Sequence, residues 1–203
     1  MDRDQLLARP GLPAADRLRI GAAIAIWRGD WPALRAWAEA ARDRQRPRAD
    51  FEEVLLQAVL FCGFPRVVTA FEHLAAAWPA PVPPAGGALP TAEQRAAGER
   101  LFAAIYGANT AAVDAMLRGC HAEFHDFVLS TAYGRILTRP HLDPRARELV
   151  AVALLAVMDQ PRQFTGHARG ARHFGVTATE LREALAMVFD DAGVVDAWVH
   201  RAR

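Results

Sequence analysis

The stretch LDPRARELVAVALLAVMDQPRQFTGHARGARHFGVTATELREAL, residues 142–185, decides the fold class of this chain. Its apolar residues recur at the three- and four-residue spacing of amphipathic helices. The break Asp159-Gln160-Pro161 separates a first helix from a second, and Gly175 marks a turn into a third. The stretch therefore predicts three consecutive helices joined by short turns.

Two titratable side chains in this stretch are candidates for acid/base chemistry. Glu148 lies on the first helix and His167 on the second. Imidazole has an ordinary pKa of about 6.5, so it can deliver a proton near neutrality while a carboxylate holds its tautomer. We predict that His167 donates a proton and that Glu148 is its partner. The alternative is a structural histidine, with Glu148 paired to Arg145 or Arg147.

The composition favours helices and argues against a nucleic-acid partner. Of the 203 residues, 52% are apolar, and runs of β-branched and aromatic residues are few. The 24 basic and 23 acidic residues leave a formal net charge of +1. Such a balance gives no basic footprint for a phosphate backbone. We expect an all-α protein whose ligand is a small molecule.

The cysteines and the N-terminus indicate a reduced, soluble, cytoplasmic protein. Cys62 and Cys120 lie far apart and show neither a zinc-type nor a Cys-x-x-Cys spacing. The opening MDRDQLLARPGL lacks the apolar core of a signal peptide. No run approaches the roughly eighteen consecutive apolar residues of a membrane span. We therefore expect no membrane association.

A Pro- and Gly-rich segment divides the chain. PAPVPPAGGALP, residues 79–90, cannot form a continuous element and is the best candidate for a linker. It separates an N-terminal helical repeat, residues 1–78, from a helical domain, residues 91–203. In the first part, one helix should end at Gly63 and another begin at Pro65. About ten helices are expected in all.

The two parts resemble each other at a spacing of about 130 residues. Residues 15–42 align with residues 145–172, with a one-residue slip at a shared Asp-x-Pro break. Residues 51–65 align with residues 181–195, which places Glu53 over Glu183. A repeat of this kind predicts two related helical units packed as a pseudo-dimer.

The same alignment separates the two halves in function. Glu148 falls on Leu18, and His167 falls on Trp37. Because the first copy has apolar residues where the second has a titratable pair, we expect one site per chain. That site should lie in the C-terminal half, with the N-terminal half as its packing partner or pocket wall.

Three segments resemble the carboxymuconolactone decarboxylase family. TAYGRILTRPHLDPRARELVAVALLA, residues 131–156, is similar to the family's Tyr-x-x-Gly and Leu-Asp-x-x-x-Arg-Glu-Leu-Val run. Residues 167–185 are similar to its His-x-x-x-Ala-x-x-x-Gly-Val signature, and EVLLQAVLFCGFP, residues 53–65, is similar to a later helix. The resemblance implies the alkylhydroperoxidase D-like helical bundle, and it implies a homo-oligomer.

The sequence departs from the peroxidase branch of that family at its sulfurs. The register from Glu148 places Gln160 and Gln163 where that branch has its two cysteines, while His167 stays in register. A dithiol peroxidase needs a thiolate and a resolving thiol, which amides cannot supply. The resemblance to the decarboxylase branch instead implies decarboxylation or related proton transfer on a small carboxylated lactone or acid, without a cofactor.

Further side chains are candidates for binding that substrate. A guanidinium can hold a carboxylate by two parallel hydrogen bonds. The candidate anchors are Arg169, Arg172, Arg162 and Arg147, and the other candidate contacts are Gln163, Gln160, Tyr133 and His125. His121 and His125 have a spacing that could hold a metal, but they lack a flanking Glu and a third ligand, so we predict no metal.

Two other functions stay open at this stage. The fold could serve as a non-catalytic binding or assembly module, because the cysteines are missing and the first copy is degenerate. A thiol-dependent alkylhydroperoxidase or peroxiredoxin activity would require Cys120 to lie close to His167.

Overall fold

A computed structural model describes residues 3–82 and 86–202. Helices make up about four fifths of these residues, and no strand occurs within them. The predicted all-α class is therefore confirmed. The α-helices are α1 (Arg3–Ala8), α2 (Ala14–Arg28), α3 (Trp31–Asp43), α4 (Arg48–Ala77), α5 (Thr91–Tyr106), α6 (Thr110–Cys120), α7 (Ala122–Phe127), α8 (Pro144–Val157), α9 (Pro161–His173), α10 (Ala178–Leu185) and α11 (Ala192–Arg201). A 3-10 turn, Gly107–Asn109, precedes α6, and a π-helical segment, Val128–Leu137, follows α7.

Local sequence explains where the principal helices begin. Asp30 accepts a hydrogen bond from the backbone N–H of Ala33, and Asp143 accepts one from Ala146, at 3.0 and 2.7 Å. Each aspartate thus satisfies one of the free N–H groups in a first helical turn. Proline in the first turn of α3, α8 and α9 removes an N–H that would have no partner there.

The predicted pair of helices on either side of Gly63 lies within the span of α4. α4 extends from Arg48 to Ala77, but Gly63 has φ 74° and ψ 167°, which are not helical values, so two helical segments meet there at a kink. Glycine tolerates this conformation, and Pro65 follows it closely in the chain. The predicted break at Gly63, with a helix on either side of it, is therefore confirmed.

By length and composition alone, α4 is apolar enough to cross a membrane. An 18-residue window within it has a mean hydropathy of 1.8, and one third of that window is buried. The expectation that no segment reaches this level is corrected by this finding. Core helices of soluble proteins pass the same test of length and composition, so the finding by itself does not indicate a membrane span.

Two sets of helices meet at the centre of the molecule. α2, α3 and α4 pack against one another, while α8 packs against α9 and α10. α2 and α8 join the two sets, and α5 lies on the π-helical segment and on α9. The core on the α2 side includes Leu18 and Phe51, and the core on the α8 side includes Leu149 and Phe164.

Reciprocal ion pairs link the two sets. Arg17 of α2 reaches across to Glu183 of α10, and Arg147 of α8 reaches across to Glu53 of α4, each at 2.8 Å. Both arginine side chains are buried. The two glutamates, like the two arginines, are 130 residues apart. This crossed arrangement supports the internal repeat.

A second pair of arginines extends the same symmetry. Arg9 pairs with Glu183 at 2.7 Å, and Arg139 pairs with Glu53 at 2.8 Å. The carbonyl oxygens of Arg9 and Arg139 each accept a hydrogen bond, at 3.0 Å, from the buried arginine of their own half. Matching Arg-Pro-x-Leu segments at residues 9–12 and 139–142 are the sequence signal for this second pair of arginines. They lie just before the aligned residues 15–42 and 145–172 and extend the repeat toward the N-terminus of each half.

Candidate active site

The structure brings Glu148 and His167 together between α8 and α9. His167 Nδ1 lies 3.0 Å from Glu148 Oε2. Glu148 is 1% exposed and His167 8% exposed, so this bond is shielded from water. A carboxylate partner favours the tautomer with hydrogen on Nδ1 and leaves Nε2 to exchange a proton elsewhere. No described residue forms a hydrogen bond with Nε2.

Gly170 makes room for this pair. A Cβ at that position would lie 2.9 Å from both Glu148 Oε2 and Ile105 Cγ2. Such contacts are shorter than van der Waals distances, so a larger residue would displace the carboxylate or α5. The glycine therefore allows α9 to carry His167 directly over Glu148.

Two tyrosines, Tyr106 and Tyr133, lie beside the imidazole. Their hydroxyl oxygens are 3.0 Å apart, and the Tyr106 ring meets the His167 ring edge-on with centroids 6.0 Å apart. Burial, with the negative charge of Glu148, raises the pKa of Tyr106, and burial together with Tyr106 raises the pKa of Tyr133 well above its usual value. Both side chains are therefore neutral phenols near pH 7 and can donate hydrogen bonds.

Tyr106 also forms part of an adjacent cleft of about 410 Å³. Gly166 lets the tyrosine ring lie against α9, because a Cβ there would come within 2.8 Å of that ring. Tyr106 thus has the cleft on one side and the buried His167 on the other. The cleft is lined by Tyr106, Asn109, Ala112, Val113, Met116, Arg162, Gln163, Thr165, Gly166 and Arg169.

The structure distinguishes among the arginines that the sequence left open. Arg162 and Arg169 line the cleft. Arg172 instead donates to the carbonyl of Ala202 at 3.2 Å, and Arg147 is held in the core by Glu53. Only the first two are therefore placed to meet a ligand in this cleft.

The other candidate contacts fall in different places. Gln163 lines the cleft, and Tyr133 lies behind Tyr106. Gln160 is exposed before α9, and its side chain donates to the carbonyl of Met158. His125 is buried outside the cleft, where Nε2 lies 2.6 Å from Asp114 Oδ1. Within residues 3–82 and 86–202, no three His, Cys, Asp or Glu side chains are placed to hold a metal.

Within the described residues, neither thiol forms a hydrogen bond with His167. Burial raises the pKa of Cys62 to about 11, so this side chain is a thiol and not a thiolate near neutrality. Cys120 is exposed at the end of α6, where its sulfur contacts Met116 of the same helix at 3.9 Å. The bonded partner of His167 is Glu148.

The equivalent positions in the N-terminal half belong to its apolar core. Leu18 is buried, and the indole of Trp37 packs over Gly21, where a Cβ would lie 2.3 Å from the ring. An indole and an alkyl group thus occupy the places that an imidazole and a carboxylate occupy in the C-terminal half. This supports the expectation that the N-terminal half serves as a packing partner.

Sequence reasoning missed the part of the cleft that α5 and α6 supply. Tyr106, Asn109 and the apolar residues of α6 were not among the candidate contacts. One available signal was the scarcity of tyrosine, since the chain has only two. Another was the helical spacing of Ala112, Val113 and Met116 on an otherwise little-buried helix.

Comparison with known proteins places this geometry in a family. The sequence model of the carboxymuconolactone decarboxylase family matches residues 3–76 and 122–201. "Peroxisomal protein 2" of Schizosaccharomyces pombe is 26% identical over 135 residues, which are 65% of this chain and 63% of that protein. "4-carboxymuconolactone decarboxylase" of Acinetobacter baylyi is 30% identical over 69 residues, which are 34% of this chain and 52% of that protein. The chain thus covers less than two thirds of either relative's length.

The match covers both helical sets and most of the residues that build the His167–Glu148 pair, and it confirms the resemblance noted in the sequence. The chain belongs to the carboxymuconolactone decarboxylase family.

Proposed function

We propose that this protein is a cofactor-independent enzyme that transfers a proton, in a decarboxylation or a related reaction, to a small carboxylated lactone or acid. The observation that carries this proposal is the buried 3.0 Å bond between His167 Nδ1 and Glu148 Oε2, directly behind the cleft wall at Tyr106. The name of the Acinetobacter baylyi relative supports the same reaction class.

Decarboxylation makes a specific demand on the site. When the bond to CO2 breaks, its electron pair stays on the substrate as an enolate, and CO2 leaves. The α-carbon must then gain a proton, which His167 Nε2 supplies while Glu148 stabilises the cation through Nδ1. The imidazole later regains its proton from water. The chemistry therefore needs one proton donor held in a fixed orientation.

The cleft supplies the remaining roles. Arg162 or Arg169 binds a substrate carboxylate, and the neutral hydroxyl pair of Tyr106 and Tyr133 provides a donor near the developing enolate oxygen. Under this proposal, Tyr106 moves aside so that a substrate in the cleft reaches His167. Tyr106 is thus a candidate catalytic residue at the boundary between the substrate and the proton donor.

His167→Ala tests this assignment. We expect kcat for CO2 release from 4-carboxymuconolactone or a related lactone acid to fall by about 10²- to 10⁴-fold, because the general acid is lost. Glu148→Gln should lower kcat less, since the imidazole remains. The matched control is His173→Ala on the same helix, where an exposed imidazole packs beside Phe174. Undiminished turnover in His167→Ala would refute the role of His167.

A non-catalytic binding module is the second candidate function. One observation favours it: Glu148 and His167 do not themselves line the cleft, because Tyr106 lies between. In that case the wild-type protein would bind carboxylates in a calorimeter but release no CO2 from any of them. Turnover that depends on His167 would exclude this candidate.

A further inference from the structure

The cleft beside Tyr106 has two unlike walls. α9 contributes Arg162, Gln163 and Arg169, which are polar or cationic. α6 contributes Ala112, Val113 and Met116, which are apolar. A purely polar ligand would leave the apolar side chains of α6 exposed to water, and a purely apolar ligand would leave the arginines of α9 without a counter-charge. The chemistry of the walls therefore describes a ligand with two unlike parts.

The cationic wall is available for an anion. Arg162 and Arg169 are seven residues apart, so two helical turns bring them to the same face of α9. In the described part of the chain, neither forms an ion pair or a side-chain hydrogen bond. Arg145, by contrast, is held by Asp16 and Glu180. Two guanidinium groups without protein partners at one cleft favour binding of a carboxylate.

The apolar wall is incompletely covered by the protein. None of the residues of α6 is buried, and Met116 remains 38% exposed. Val113 is partly buried and packs at the edge of the small core around Phe102. Apolar side chains that line a concave surface gain free energy when a ligand removes them from water.

The volume of the cleft, and the position of its α6 wall outside the family match, also bear on which ligand it binds. A volume of about 410 Å³ lies within the range of small-molecule pockets, roughly 300–1,000 Å³, and leaves room for several carbons beside a carboxylate. The α6 wall also lies outside the two segments that match the family, residues 3–76 and 122–201. The family relationship therefore does not prescribe what this wall binds.

We infer that the cleft binds an amphipathic carboxylic acid. Its carboxylate lies against Arg162 and Arg169, and an aliphatic or aromatic portion of several carbons lies along Ala112, Val113 and Met116. This inference rests on the proposed function, since it names the substrate class of the same site, but its test measures binding without turnover.

The test is calorimetric titration of the full chain with acetate, hexanoate and octanoate. We expect affinity to rise by about fourfold for each methylene that contacts α6. Octanol, which has the same chain without the charge, should bind at least tenfold more weakly than octanoate. Equal affinities along the acid series, or equal affinities for octanol and octanoate, would overturn the inference.

Variants assign the two parts of the ligand to the two walls. Arg162→Met with Arg169→Met should weaken octanoate binding by at least tenfold, while Arg172→Met, on the same helix but outside the cleft, should leave it unchanged. Met116→Asp should remove the dependence on chain length. These side chains are exposed, and circular dichroism and thermal denaturation would verify that each variant folds. A Met116→Asp protein that keeps the full chain-length dependence would overturn the inference.

His167→Ala separates this inference from the proposed function. The variant should bind octanoate as the wild-type protein does, because His167 does not line the cleft. Chain-length-dependent binding without turnover of any acid would refute the proposed function and leave the inference standing. Turnover that depends on His167, with no effect of chain length on binding, would refute the inference alone.

Discussion

Glu53→Gln is expected to lower the free energy of unfolding by about 3–5 kcal/mol, because it leaves a buried guanidinium without a counter-charge. Arg147 is 1% exposed and reaches Glu53 at 2.8 Å, and Arg139 binds the same carboxylate. Arg147 cannot regain water without opening the contact between the two helical sets. Chemical denaturation followed by circular dichroism would measure the loss.

The control for this variant is Asp43→Asn, which removes the carboxylate of an exposed ion pair with Arg42. Exposed pairs contribute about 0–1 kcal/mol, so this variant should differ little from the wild-type protein. If Glu53→Gln were no more destabilising than Asp43→Asn, the crossed pairs would not hold the two sets together. Glu183→Gln, the equivalent change in the other half, should resemble Glu53→Gln.

The same pair gives a pH dependence with a definite sign. Burial alone would raise the pKa of Glu53, but hydrogen bonds and charges from Arg139 and Arg147 outweigh it and hold the pKa below the ordinary value of 4.5. A carboxyl whose pKa is lowered on folding stabilises the protein above the unfolded-state pKa. That contribution disappears as the pH falls through the lower, folded-state pKa. The difference between wild type and Glu53→Gln should therefore shrink below about pH 4.5.

Gly98→Ala is expected to destabilise the protein by about 3 kcal/mol or more, at the upper end of the cost of overpacking. A Cβ on Gly98 of α5 would lie 1.9 Å from the carbonyl oxygen of Leu129, and one on Gly134 would lie 2.0 Å from that of Gln94. These neighbours are backbone atoms and cannot rotate away, so α5 and the π-helical segment would have to separate.

Gly119→Ala is the matched control. A Cβ at Gly119 of α6 would meet nothing within 4 Å. Alanine there should be neutral or stabilising by up to about 1 kcal/mol, because it reduces the chain entropy lost on folding. Thermal denaturation would compare the melting temperatures of the Gly98→Ala and Gly119→Ala variants with that of the wild-type protein. Equal melting temperatures for Gly98→Ala and Gly119→Ala would contradict the close approach of the two backbones.

The Gly98 prediction has a consequence at the candidate site. α5 carries Tyr106 and the π-helical segment carries Tyr133, so separating them would break the 3.0 Å contact between the two hydroxyls. Under the proposed function, any Gly98→Ala protein that still folds should therefore lose turnover of lactone acids more than its stability alone explains.

Local sequence determined most of the helices of this protein. Asp30 and Asp143 cap α3 and α8 through their own side chains, and the apolar spacing of residues 142–185 specified α8 and α9. These are interactions among residues three or four apart, so the sequence alone could predict them. Glu148 and His167 are nineteen residues apart, so local spacing could not predict their contact. The family resemblance supplied that pairing instead.

Only the tertiary structure decided which side chains meet a ligand. Arg162, Arg169 and Arg172 lie on one helix and look alike in sequence, but Arg172 donates to the backbone just after α11, and α5 and α6 form a cleft beside the other two. Tyr106 reaches His167 because α5 packs on α9, some sixty residues away along the chain. Likewise, the crossed pairs of Arg17 and Arg147 exist only once the two halves dock. Such contacts depend on the relative position of whole helices, which no local spacing of residues encodes.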